Sequence, residues 1–120
     1  MSQLSEEEIF QEIGKIIQRF DLYQCDACAR AILQWLQANN IQGKILKLKT
    51  ATRRDGYILS WRLERQDITN SITQTGVHYG VEVLGRVFDN LSVEGMTRED
   101  WLNDFDCPSH QFILTELDSL

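Results

Sequence analysis

Proline occurs once in this chain, at Pro108, and cysteine three times, at Cys25, Cys28 and Cys107. An odd number of thiols leaves at least one unpaired in a monomer, so a fully disulfide-stapled scaffold is excluded. Long apolar runs are missing too: none approaches the ~18 residues that a membrane helix requires, and no membrane partner is expected. Positive charge is scarce, with 12 Lys and Arg against 18 Asp and Glu and a net charge of −6. That balance argues against nucleic acid, whose non-specific affinity comes from clustered cations. Lys44, Lys47 and Lys49 alternate with apolar residues, as on a solvated strand face. Repeats, low-complexity tracts and linkers are absent. The acidic start MSQLSEEE carries no apolar leader, which sets the expectation of a reducing, cytoplasmic compartment.

What is present fits one domain over residues 1–120, whose 42% hydrophobic content can bury a continuous core without staples. Ser5 with Glu8 forms a capping box, and Ile9, Phe10, Ile13, Ile16, Ile17 and Phe20 recur at helical spacing, which predicts a helix over residues 5–20. After a short link, residues 21–24, Asp26 is expected to cap a second helix. Its stripe is Cys28, Ala29, Ile32, Trp35 and Leu36, and it runs to about Asn39. Asn39, Asn40 and Gly43 supply the stop.

The period then changes to two. Residues 45–49 and 57–63 flank the turn-like RRDG, which predicts paired strands, and the polar stretch 64–75 reads as a loop or ragged edge. Residues 78–83 and 86–88 alternate about Leu84 and Gly85, a hairpin signal. Thr97 with Asp100 caps a short helix through Trp101 to Phe105, Pro108 breaks it, and residues 111–117 complete the pattern as a last strand. Helices first and strands after predicts an α+β fold, an antiparallel sheet with helices on one side. The three tryptophans, Trp35, Trp61 and Trp101, read as packing residues.

One constellation carries chemistry. Cys25 stands at the start of an amphipathic helix, where backbone N–H groups and the helix dipole favour the thiolate, the form that attacks. Downstream, His78 opens a strand and Asp89 closes the next one. Antiparallel pairing about a central turn brings that histidine and aspartate close together. The set reads as nucleophile, general base and orienting acid.

With these residues in place, the chain resembles the second papain-fold toxin family of bacterial polymorphic toxin systems. The likeness covers about residues 20–105 and rests on CxxCA with its helix, IQGKILKL, GVHYGVEV and GRVFDNL. The same order is similar to the transglutaminase-like core. The resemblance implies a papain-like (cysteine proteinase) fold, N-terminal helices packed on an antiparallel β-sheet. It also implies a cysteine hydrolase or acyltransferase acting on amide bonds, of protease, deamidase or transglutaminase type. Its expected partners are a protein or peptide substrate and a cognate immunity protein, with delivery into target cells as an effector. No cofactor is expected.

Carried over residue by residue, the resemblance puts the nucleophile on Cys25, the base on His78 and the orienting acid on Asp89. Papain-type proteases offer a competing alignment that selects Cys28, and they use an amide as orienting group, which makes Asn90 the alternate to Asp89. They also place an oxyanion-stabilising glutamine six residues before the nucleophile, where this chain has Arg19. Gln24, Gln18 or the Cys25 N–H are the replacement candidates.

Three rival readings stay open at this stage. Cys25 and Cys28 with Cys107 and His110 make a formal Cys3His zinc set, although the first pair starts a helix without a glycine turn. CDAC before a helix suggests thiol redox chemistry, although a helix rather than a strand precedes it and no mid-chain proline accompanies it. A non-catalytic binding module that keeps the fold is the third.

Overall fold

The computed structural model of the chain describes residues 4–52 and 54–120. Helix α1 (Glu6–Ile17) starts as its capping box predicts: the Glu8 N–H donates to Ser5 Oγ at 3.1 Å, and the Ser5 N–H donates to Glu8 Oε1 at 3.2 Å. It stops three residues short of Phe20, because the N–H groups of Arg19 and Phe20 turn to the carbonyls of Ile16 and Ile17 in a tighter winding.

Helix α2 (Cys25–Ala38) is not capped by Asp26. Gln24 is its N-cap residue, and Asp26 lies inside the first turn, where its charge meets the positive helix end. At the other end Asn40 takes a left-handed φ of 57°, and the Ile41 N–H returns to the Leu36 carbonyl at 2.9 Å.

The remaining elements are β1 (Lys44–Thr50), β2 (Leu59–Ser60), α3 (Trp61–Glu64), β3 (Val77–Val83), β4 (Arg86–Asp89), β5 (Ser92–Met96), α4 (Arg98–Asn103), β6 (Phe105–Asp106) and β7 (Phe112–Leu117). Five strands form one antiparallel sheet in the order β5-β4-β3-β1-β7. The hairpin about Leu84 and Gly85 is present, and both residues have the positive φ, 51° and 80°, that a tight two-residue turn with matching twist requires.

The pairing expected between residues 45–49 and 57–63 does not form. Strand β1 pairs with β3 and β7, while β2 pairs with β6. Strand β2 ends after two residues because Asp104 captures the chain: its carbonyl accepts the Trp61 N–H at 2.8 Å and its carboxylate accepts the Arg62 N–H at 2.9 Å, which starts the single turn of α3. The RRDG turn includes Arg53, which lies outside the described residues. Strand β5 was not signalled at all by alternation in SVEGM, whose side chains are exposed or half-buried.

The N-terminal helices pack on one sheet face, where Ile13, Ile32, Leu36, Ile45, Val81 and Phe88 share a core. The opposite face is covered as well, which the expectation of helices on one side did not include. There Leu46, Leu48, Ile58, Val87, Trp101 and Phe105 form a second core beneath α3 and α4. The sheet therefore separates two apolar layers, and a side chain's parity along β3 decides which layer receives it.

Candidate active site

Parity sends His78 into the second core. Its ring is fully buried, with centroids 6.0 Å from Trp101 and 5.1 Å from Phe105. Val81 pairs with Phe88 in the hairpin, so one further step sets Gly80 beside Asp89, two residues from His78 and on the same face. The reach is diagonal rather than directly across. It suffices: His78 Nε2 and Asp89 Oδ2 are 3.0 Å apart.

Asp89 is held from several sides. Arg62 Nη1 and Nη2 donate to Oδ1 and Oδ2 at 3.1 and 2.8 Å, the Trp101 indole N–H donates to Oδ2 at 2.9 Å, and the Leu91 N–H donates to Oδ1 at 3.1 Å. Arg62 in turn donates through Nε to Asp104 Oδ2 at 2.7 Å and through Nη1 to Ser92 Oγ at 2.8 Å. The Ser60 hydroxyl completes the group by donating to Asp104 Oδ2 at 2.6 Å. Gly80 makes room for it: a Cβ there would stand 2.9 Å from both Trp101 Cζ2 and Val87 Cγ1.

These contacts set the charges. Burial opposes ionisation of Asp89, but hydrogen bonding to His78 and the Arg62 charge outweigh it and hold the carboxyl well below the usual carboxylate range. Burial likewise opposes a charged His78, yet the hydrogen bond to Asp89 and the nearby Cys25 sulfur raise it from 6.5 to about 9. The surroundings of the ring therefore favour its protonated form.

The sulfur of Cys25 belongs to this neighbourhood. With Nε2 engaged by Asp89, Nδ1 is the nitrogen left to face it; among the described residues Nδ1 is buried without a formed hydrogen bond. The contact is looser than a hydrogen bond, yet close enough for the sulfur to add to the ring's proton affinity. Cys25 is the first residue of α2 and is 8% exposed, less open than a helix start suggests. It lines a cleft of about 370 Å³ with Tyr23, Arg30, Thr73, Gln74 and Tyr79 among its walls. No side chain caps α2, so the N–H groups of its first turn keep their donor capacity.

The alternates lie elsewhere. Cys28 is fully buried in the helix-side core, and burial first, then Asp89 and Cys25, push its thiol up to about 12. Asn90 does not orient the imidazole: its amide donates to the carbonyls of Asp21 and Leu22 at 2.8 and 2.9 Å and so pins the link that leads into α2. Gln24 accepts the Asp21 N–H at 2.8 Å through its side chain. Gln18 lines a separate groove with Phe10, Arg86 and Val93. Gln74, which nothing in the sequence singled out, lies in the Cys25 cleft instead.

The two halves of the zinc set do not converge. Cys107 contacts Asp55 and the Gln111 carbonyl, and His110 bonds Asp106 at 2.6 Å. Among the described residues no cluster of three or more His, Cys, Asp or Glu could hold a metal ion, and none of the helices is long and apolar enough to cross a membrane.

Sequence reasoning missed Arg62 and Asp104 and reduced Trp101 to packing. The one available signal was a charge, Arg62, set between Trp61 and Leu63 in an otherwise apolar alternation. No curated protein and no solved structure matches the chain. Residues 8–106, however, match a family model described as Papain fold toxin 2. With helices, sheet and cysteine-bearing helix start in the arrangement described, the chain belongs to the papain fold toxin 2 family.

Proposed function

We propose that this chain is a cysteine-dependent toxin enzyme that attacks an amide carbonyl of a protein or peptide substrate through Cys25, His78 and Asp89. The observation that carries the reading is the state of the His78 ring. Nε2 is tied to a buried carboxylate, and Nδ1 is buried without a formed hydrogen bond beside a sulfur at a helix start. A histidine serving packing alone is expected to have both nitrogens satisfied.

In the proposed reaction His78 holds the proton that Cys25 gives up, and the thiolate adds to the carbonyl carbon. N–H groups at the start of α2 stabilise the oxyanion that forms. His78 then protonates the departing amine as the carbon–nitrogen bond breaks, which leaves a thioester on Cys25. Water or a second amine resolves the thioester, so peptide cleavage, glutamine deamidation and transamidation share this first half. Asp89 keeps the ring in one orientation and stabilises its charged form. A toxin of this kind calls for a cognate immunity protein that covers the Cys25 cleft.

The test is chemical. Iodoacetamide near neutral pH should alkylate Cys25 far faster than Cys28 or Cys107, and Cys25→Ala should lose toxicity while keeping its fold. Equal sluggishness of the three thiols, or toxicity retained in Cys25→Ala, would overturn the proposal.

A further inference from the structure

Arg62 touches neither the Cys25 cleft nor the imidazole through any hydrogen bond, yet its side chain donates four hydrogen bonds beside them, two of them to Asp89. Its side chain is 11% exposed, and its partners Asp89 and Asp104 are 0% and 4% exposed. Breaking even with water is hard for buried ions, and ion pairs of this sort add little stability over an apolar replacement. A purely structural explanation is therefore weak. The geometry suggests a different one.

Facing His78 are Asp89 from β4, Cys25 from α2, and the uncharged rings of Trp101 and Phe105 from α4 and β6; Arg62 and Asp104 stand behind Asp89. A lone arginine on Asp89 would cancel the carboxylate and leave the imidazole facing a neutral pair. Here a second carboxylate is bonded to the opposite edge of the same guanidinium. One guanidinium and two carboxylates leave a single negative charge for the ring to answer.

Resting on the enzyme reading above, we infer that Arg62 and Asp104 are positioning residues for the His78–Asp89 pair. The Arg62 fork fixes the carboxylate so that Oδ2 points at the imidazole, and Asp104 offsets the guanidinium so that Asp89 still acts on the ring as an anion. The fork is suited to the first task because its donors are planar and rigid, and two of them engage both oxygens of Asp89. The second task is electrostatic and works because the group is withdrawn from solvent, where charge is poorly screened. Ser60 and the Arg62 N–H hold Asp104 in place for it.

The role predicts opposite signs for two substitutions, which general loosening of the site would not produce. The readout is the titration of the His78 ring by NMR in the full chain, with exposed His110 as internal reference. Asp104→Asn removes a negative charge and should lower the His78 midpoint by about one pH unit, whereas Arg62→Gln removes the positive charge and should raise it by about one. Shifts of the same sign, or no shift in either, would overturn the inference.

Should a single variant not fold, the Arg62→Gln/Asp104→Asn double variant carries the test, since removing both partners is less costly than stranding one. Its midpoint should stay within about half a unit of the wild type, and a fall beyond about one unit would overturn the role. Iodoacetamide labelling of the wild type separates the two claims. Opposite shifts with an inert Cys25 sink the enzyme reading and leave the charge arrangement standing; a reactive Cys25 without the shifts does the reverse.

Discussion

The two N-terminal helices begin in opposite ways. At the start of α1, Ser5 and Glu8 satisfy each other's backbone N–H groups, and Glu6, Glu7 and Glu8 crowd the positive end. At the start of α2 there is no side-chain cap: Gln24 turns its amide oxygen back to the Asp21 N–H, and the next residue is Cys25. A cap contributes about 1 kcal/mol of stability. Leaving it out of α2 forgoes that contribution and keeps the donors and the dipole available to a sulfur and to an oxyanion. The same chemical resource serves the fold at one helix and, in the proposed reaction, chemistry at the other.

The strongest break in this comparison comes from the imidazole. Substituting His78→Ala should reduce activity by about 10²- to 10⁴-fold, the usual worth of a positioned acid–base group, and should leave the capped start of α1 untouched. Asp89→Asn should be severe but incomplete, since the acid orients and stabilises rather than transfers the proton. Both are read as toxicity on expression and as the rate of Cys25 alkylation. Equal toxicity of the His78→Ala variant and the wild type would assign the chemistry elsewhere.

A second, smaller effect appears in stability against pH. His78 stands at about 9 in the fold against an ordinary 6.5, so the fold favours its protonated form. The stability this contributes is complete below about pH 6.5 and is lost as pH rises through 9. Asp89 has the opposite sign: its carboxyl is depressed, so its contribution stands above about pH 4 and fails only as acid protonates it in the fold. Cys28, raised from 9.0 to about 12, adds a loss only above pH 9. Urea unfolding should therefore show stability falling between pH 6.5 and 9 in the wild type and a nearly level profile in His78→Ala. A level wild-type profile would contradict the charged ring.

Which of these features the sequence made legible follows from range. The capping box, the helical stripes, the Leu84–Gly85 hairpin and the Thr97 cap are local patterns, and each is present. Order along the chain also signalled Cys25, His78 and Asp89 as a candidate set. The partners of β1 were not legible, because β3 and β7 reach it from far along the chain and no turn residue announces them. Arg62 was illegible for the same reason: its bonds to Asp89 and Asp104 span 27 and 42 residues, and a strand-like alternation hid the single helical turn that aims it. Strand β5 escaped because its side chains are exposed or half-buried, which leaves little alternation to read.

The finest test exchanges the two helix starts. Ser5→Ala removes the cap of α1 and should cost about 1 kcal/mol of stability with no change in Cys25 alkylation. Gln24→Ser should do the reverse: a short hydroxyl at the N-cap can accept an N–H of the first turn, adding up to about 1 kcal/mol, while it takes that donor from the sulfur and the oxyanion. The expected result is a more stable protein with a slower Cys25, read by urea midpoint and by iodoacetamide rate on the same sample. Gln24→Ser also frees the Asp21 N–H, which now donates to the Gln24 side chain at 2.8 Å, so part of the gain is lost in the link. A Gln24→Ser protein that is both more stable and equally reactive would mean that the open helix start is incidental to the chemistry, and that the imidazolium of His78 alone activates the sulfur.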